Sequence, residues 1–131
     1  MDTFTVRTRG RTDLVDITSR VAQIVAESGV SEGVCLVYVP HTTAAVTINE
    51  NADPTVRQDI EMELSKIVPW SDGYAHSEGN SAAHIKSSLV GCSEAIPVSG
   101  GRLTLGTWQG VYLCEFDGSR NRQVMVKVMA G

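Results

Sequence analysis

Aromatic side chains are scarce in this 131-residue chain, at 5%, and cysteine is scarcer still, at three residues. Cys35, Cys92 and Cys114 lie far apart with no CxxC pair, which excludes a zinc ribbon and a thioredoxin-type redox motif. Cys35 and Cys114 sit in apolar runs and read as small core residues, while Cys92 follows Gly91 in an expected turn. None of the three has an obvious neighbouring base, so a cysteine nucleophile is not expected. No apolar stretch approaches the roughly 18 residues of a membrane span. The opening Met1-Asp2-Thr3-Phe4 also lacks the basic and then apolar pattern of a secretory signal. The cytoplasm is the expected compartment, with no membrane partner. Positive charge is short as well: 11 Lys and Arg against 15 Asp and Glu leave a net charge of -4. A general nucleic-acid binder needs a basic surface to displace counterions, so nucleic acid is not an expected partner. A local basic pocket for a phosphorylated small molecule is still compatible with that sum.

Familiar catalytic signatures are missing too. There is no GxxxxGK[ST], no GxGxxG after a strand, no GxSxG and no HExxH. P-loop hydrolysis, dinucleotide binding, an α/β-hydrolase serine and a zincin protease are thereby set aside.

What is present suits one globular domain. The chain is 42% hydrophobic and long enough to bury an ordinary core without staples. Strand patterning covers Thr3 to Arg9, and Leu14, Val15 and Ile17 suggest a short second strand. Val21, Ile24, Val25 and Ser28 follow helical spacing, with Asp16 or Thr18 able to cap the start and Gly29 at the exit. Val34 to Val39 is a continuous apolar run, read as a strand covered on both faces and ended by Pro40. Ala44 to Asn49 resumes extended character. Asp53-Pro54 starts a helix whose stripe is Val56, Ile60, Leu64 and Ile67. Trp70 to Glu78 reads as a loop, and Asn80 or Ser81 caps a further helix with Ala82, Ile85 and Leu89 as its apolar side. Ile96–Val98, Leu103–Leu105, Val111–Phe116 and Val124–Met129 are short strand candidates, the last two joined by an expected hairpin at residues 117–122. Strands at both ends with about three helices between them predict an α+β domain with mainly antiparallel sheet, over residues 1–131.

Four polar groups interrupt this pattern: residues 41–43, 49–53, 76–86 and 115–120. Together they hold all three histidines, His41, His76 and His84. Neutral imidazole suits zinc and similar ions, and three protein ligands with an open position make a catalytic metal site. The other reading makes each histidine an independent capping or hydrogen-bonding group. The eight-residue separation of His76 and His84 needs Glu78-Gly79-Asn80 to fold back over the helix start. Glu78 and Glu115 are the acid/base candidates, with His84 beside them. Glu115 interrupts an apolar strand and shares a face with Val111 and Leu113, so it requires partners if buried. Arginine partners at positions 102, 120 or 122, or an exposed edge, are its alternatives. Asp117 reads as a turn residue. Lys86 and Arg120, with backbone amides near Asn80, are candidates to hold a phosphate, while Arg122 reads as ordinary surface charge. Asn49 and Asn51 share a strand face and are candidate ligand contacts. Trp108 and Gln109 fit a pocket wall, or a core or subunit contact.

The order and content of these runs resemble the YjbQ-type family of small proteins, associated with a secondary thiamine-phosphate synthase activity. The likeness rests on Pro40-His41-Thr42-Thr43-Ala44-Ala45, Asn49 to Pro54, His76 to Lys86, Gly91-Cys92-Ser93-Glu94, Gly106 to Gly110 and Cys114 to Gly118. Ser119 stands where proline is expected, a departure confined to the turn. The resemblance implies a homotrimer with sites near subunit interfaces, and it makes His41, His76 and His84 the histidines of the family site, sometimes suggested to hold a metal. The reaction it implies joins a pyrimidine diphosphate to a thiazole phosphate with release of pyrophosphate. Magnesium, the usual diphosphate partner, prefers oxygen ligands, so three histidines suit it poorly. Two alternatives follow: a metal-dependent hydrolase or lyase on a small phosphorylated substrate, with a zinc-type ion activating water, and a non-catalytic trimeric ligand- or metal-binding module.

Overall fold

The computed structural model describes residues 1–131. Its elements run β1 (Asp2–Arg7), β2 (Asp13–Asp16), α1 (Thr18–Ser28), β3 (Gly33–Tyr38), β4 (Ala44–Glu50), α2 (Pro54–Ile67), α3 (Ser81–Val90), β5 (Ser93–Ser99), β6 (Arg102–Leu103), β7 (Gln109–Glu115) and β8 (Asn121–Ala130). This is the expected α+β domain with three helices. The strands form two antiparallel sheets, ordered β1-β8-β3-β5-β6 and β2-β7-β4.

Alternation along the strands explains the layering. Phe4 and Val6, Cys35 and Val37, Ile96 and Val98, and Val124 and Val126 all point inward from the larger sheet. They meet Ala44, Val46, Val111 and Leu113 of the smaller sheet, with Val21 and Val25 of α1 in the same core. The opposite face of the smaller sheet, carrying Ala45, Tyr112 and Cys114, is covered by Ala83 of α3 and by Ile60 and Leu64 of α2. β7 is thus buried on both faces, and its sequence is accordingly apolar from Val111 to Cys114, with Glu115 the buried exception. β3 differs from expectation here. No helix covers the outer face of the larger sheet, so Val34 and Tyr38 are exposed.

Local chemistry sets the helix ends. Asp53 accepts the Thr55 amide at 2.9 Å and Pro54 opens α2, while Gly29 ends α1 at φ 73°. Two other readings are corrected. Residues 117–122 are not a hairpin: β7 pairs with β2 and β4, whereas β8 pairs with β1 and β3. Both edges of β7 are taken, so the connection carries the chain from one sheet to the other. In α3 the inward face is Ala82, Ala83, Lys86 and Ser87, with Ile85 and Leu89 exposed. Small residues there let the helix approach β4 closely, which outweighs the burial of two larger side chains.

Candidate functional site

Three connections meet at one end of the two-sheet core. Residues 41–43 link β3 to β4, residues 116–120 link β7 to β8, and residues 76–80 lead into α3. Between them lies a polar cavity of about 710 Å³ lined by His41, His76 and His84 together with Glu78, Asn80, Asp117, Arg120 and Arg122. The histidine pair is made by a local turn. Gly79 takes φ 76° and its amide donates to the His76 carbonyl at 3.2 Å, folding the loop back over the start of α3. The His76 and His84 rings then stand edge to face, 5.6 Å between centroids. Glu78 reaches His76 Nε2 at 3.9 Å and is itself largely in solvent.

Asp117 organises the cationic side. Its carboxylate accepts the Asn80 amide at 2.9 Å and the Arg120 guanidinium at 3.0 Å, and its carbonyl accepts Arg120 Nε at 2.7 Å. Asn80 is the N-cap residue of α3 but makes no capping bond; its amide donates to Asp117. The Asn80 side-chain carbonyl is buried without a partner. Asp117 is therefore a wall of the cavity rather than the simple turn residue its Asp-Gly context suggests.

A buried ion pair meets the cavity through Arg122. Glu115 is fully buried and Arg122 is 5% exposed. Arg122 donates Nε to Glu115 at 2.8 Å, and its Nη2 reaches the same carboxylate and the Thr43 hydroxyl, the latter at 2.8 Å. The Thr8 hydroxyl and the Asp117 amide also donate to Glu115, at 2.8 and 3.0 Å. Burial alone pushes the Glu115 carboxyl up, but the Arg122, Asp117 and Thr8 hydrogen bonds outweigh it and hold the carboxyl below the usual range. Glu115 does not line the cavity. With its oxygens already engaged it positions Arg122 instead of moving protons, and Arg122 is an internal cation rather than surface charge.

His41 is held by the backbone. Its Nε2 accepts the Gln123 amide at 2.9 Å. An amide can only donate, so neutral His41 carries its proton on Nδ1. Burial, and then the nearby Arg122, lower its pKa, which favours that neutral form. Nitrogen-15 NMR is expected to show His41 as the Nδ1–H tautomer, protonating only below the usual histidine range. An Nε2–H signal at pH 7 would contradict this arrangement.

The lone pair that Gln123 occupies is the one a metal would need. No three His, Cys, Asp or Glu side chains are spaced to hold a metal ion. The residues as they stand share a cavity but do not fit a three-histidine centre.

Three candidates lie elsewhere. Lys86 is about 200° around the helix from His84 and points at α2, donating to Ser65 at 3.2 Å beside the Phe116 ring. Burial, and then Arg11, lower its pKa. Asn49 pairs with Gly110 at the far end of β4, and Asn51, just past the strand, lays its side chain against the same glycine, about 20 Å from Thr43 at strand rise. Trp108 is exposed at that same end. Cys35 and Cys114 are buried as expected, their thiols pushed up by burial to about 11 and about 12.

A family model described as "UPF0047 protein YjbQ-like" matches residues 2–131. The chain belongs to the YjbQ/UPF0047 family. Within it, the chain is 48% identical over 130 residues to the UPF0047 protein YugU of Bacillus subtilis, covering 98% of each. It is 51% identical over 126 residues to a UPF0047 protein of Methanocaldococcus jannaschii, covering 96% of this chain and 91% of that one. Among solved structures, a YjbQ/UPF0047 family protein of Clostridium acetobutylicum superposes with TM-score 0.97 at 50% identity, covering 98% of this chain and all of that one. A YbjQ-like protein of Sulfolobus solfataricus superposes with TM-score 0.96 at 35% identity, covering 99% and 96%. On this YjbQ frame, the cavity residues outside the expected site are Tyr38, Pro40, Thr42, Thr43, Asp117 and Arg122, the last weighed from sequence only as a Glu115 partner or surface charge. Arg122 was open to detection: a buried carboxylate at Glu115 calls for a cation, and Arg122 is one candidate among few.

Proposed function

We propose that this protein is a small-molecule enzyme acting on a phosphorylated substrate in the three-histidine cavity, and that its reaction is thiamine-phosphate synthesis. One observation carries the reading: His41, His76 and His84 meet Arg120 in one polar cavity beside the start of α3. Helix N-termini and guanidinium groups favour phosphate oxygens. In the reaction the thiazole nitrogen attacks the methylene carbon of the pyrimidine diphosphate, the carbon–oxygen bond breaks, and pyrophosphate leaves with the electron pair. Negative charge therefore grows on the departing diphosphate. In this reading Arg120, the first turn of α3 and the His76 and His84 rings stabilise it, while His41 offers an N–H donor.

The same proposal includes a homotrimer, supported by the bare outer face of the larger sheet. Val34, Tyr38 and Met129 are exposed there, and Tyr38 also lines the cavity. No helix is long and apolar enough to cross a membrane, and three free cysteines agree with work in the cytoplasm.

The test is to incubate the protein with both substrates, follow thiamine phosphate and pyrophosphate, and measure the assembly mass by light scattering. His84→Ala should lower kcat/KM by about 10²-fold with folding and assembly intact. Absence of both products, or full turnover by the His84→Ala variant, rejects the assignment.

A further inference from the structure

A second cavity, of about 370 Å³, lies against the wall that closes the first. The two share His41, Thr42 and His84. The remaining lining of the second is Ala44, Ser87, Ser88, Gly91 and Cys92. It is built by one helical stripe: His84, Ser87, Ser88 and Gly91 recur at i, i+3, i+4 and i+7, so they share one side of α3 and its exit. Ala44 faces them from the first position of β4. Small side chains on both elements leave the space open.

The two cavities differ in charge. The first presents Glu78, Asp117, Arg120 and Arg122, whereas the second has no Asp, Glu, Lys or Arg in its lining. The second also holds an unmet hydrogen-bonding group. Ser87 is 8% exposed, and its hydroxyl is buried with no partner in the protein. Buried hydroxyls are ordinarily satisfied, so a lone one on a cavity wall marks a place where a ligand atom can complete it. The volume falls within the range of small-ligand pockets, about 300–1,000 Å³.

We propose that the second cavity is a subsite for the uncharged, ring-bearing half of the substrate whose phosphates occupy the first, with the Ser87 hydroxyl bonding a heteroatom on that ring. The proposal rests on the first cavity being the phosphate site, and it adds where the rest of the molecule goes. His41 and His84 stand between the two halves, beside the bond that would change.

Cys92 makes the subsite addressable. It is exposed and lines the second cavity, while Cys35 and Cys114 are buried with thiols raised to about 11 and about 12, so iodoacetamide should alkylate Cys92 alone in the folded protein. The probes are pyrophosphate, which has no ring, and the pyrimidine methyl diphosphate. Saturating pyrimidine diphosphate should slow Cys92 alkylation about tenfold, whereas bound pyrophosphate should leave the rate within about twofold. Ser87→Ala should weaken the pyrimidine diphosphate about tenfold by calorimetry, leave pyrophosphate affinity unchanged, and keep or raise the melting temperature, because an unpaired hydroxyl is removed. Binding of both probes with no difference in Cys92 protection overturns the subsite while leaving the phosphate site standing. Failure of pyrophosphate to bind at all overturns the phosphate site, and the subsite with it.

Discussion

Replacing Arg122 by Ala is expected to cost about 3–5 kcal/mol, because it strands the fully buried Glu115 carboxylate without its cation. The loss has three parts, all visible in the structure. Glu115 loses both Arg122 contacts, the Thr43 hydroxyl loses its donor, and a large buried side chain is emptied from the space between the sheets. Urea denaturation measures the change. A cost under 1 kcal/mol would mean the pair is not held as described. The double substitution Arg122→Met with Glu115→Leu should recover part of the stability, since replacing a buried pair together avoids an orphaned charge. Recovery should be incomplete, because the Asp117 amide is then left without its acceptor, while the Thr8 hydroxyl keeps the Arg120 carbonyl at 3.1 Å.

The same carboxylate sets an acid dependence. Its folded pKa is held below the unfolded value, so between the two the unfolded chain binds more protons. Stability from Glu115 is therefore present above the ordinary carboxylate range and lost as pH falls through the folded value. His41 acts in the same sense from a higher starting point, since its folded pKa also lies below the ordinary histidine value of 6.5. Stability should begin to fall as pH drops below that value and fall further in the carboxylate range. The Arg122→Met, Glu115→Leu double variant should keep the part of the first step that burial of His41 causes, with the Arg122 part gone, and lose the Glu115 part of the second.

Gly118→Ala is expected to be the second most damaging change, at about 2–3 kcal/mol, or on the order of 10 °C in melting temperature. A Cβ at this position would overlap the Gly10 carbonyl oxygen, lie 2.7 Å from Glu115 Cγ and 3.0 Å from the Thr8 hydroxyl. The first obstacle is backbone and cannot rotate away. The other two belong to the ion-pair cluster, and the Gly118 amide donates to the Arg11 carbonyl at 3.1 Å, tying the β7–β8 connection to the β1–β2 connection. The variant should also weaken pyrophosphate binding, because Asp117 and Arg120 flank the displaced residue. A melting temperature within about 2 °C of wild type would show that the loop yields freely.

Much of the fold could be read from local pattern. Asp53-Pro54, Gly29 and the buried run of β7 declare themselves through capping chemistry, backbone freedom and hydrophobic continuity, which act within a few residues. The gathering of histidines was legible for a different reason: polar residues at element ends have few places to go in a small domain. The misread elements all turned on long-range geometry. Nothing near residues 117–122 tells the chain that both edges of β7 are occupied, so a sheet-to-sheet crossing looks like a hairpin. Ile85 and Leu89 look like the buried side of α3 until β4 demands the close approach that Ala82, Ala83 and Ser87 allow.

By itself, the sequence determined an α+β domain, its helix boundaries and the identity of the imidazole-bearing segments, because capping, periodicity and turn preference are local interactions. Only the tertiary structure decided that Arg122 lies inside, that Glu115 serves it instead of the cavity, and that Lys86 and Asn49 face away from the histidines. Those outcomes depend on how two sheets and a helix stack, and a buried charge takes its role from whichever partner that stacking brings within hydrogen-bond reach.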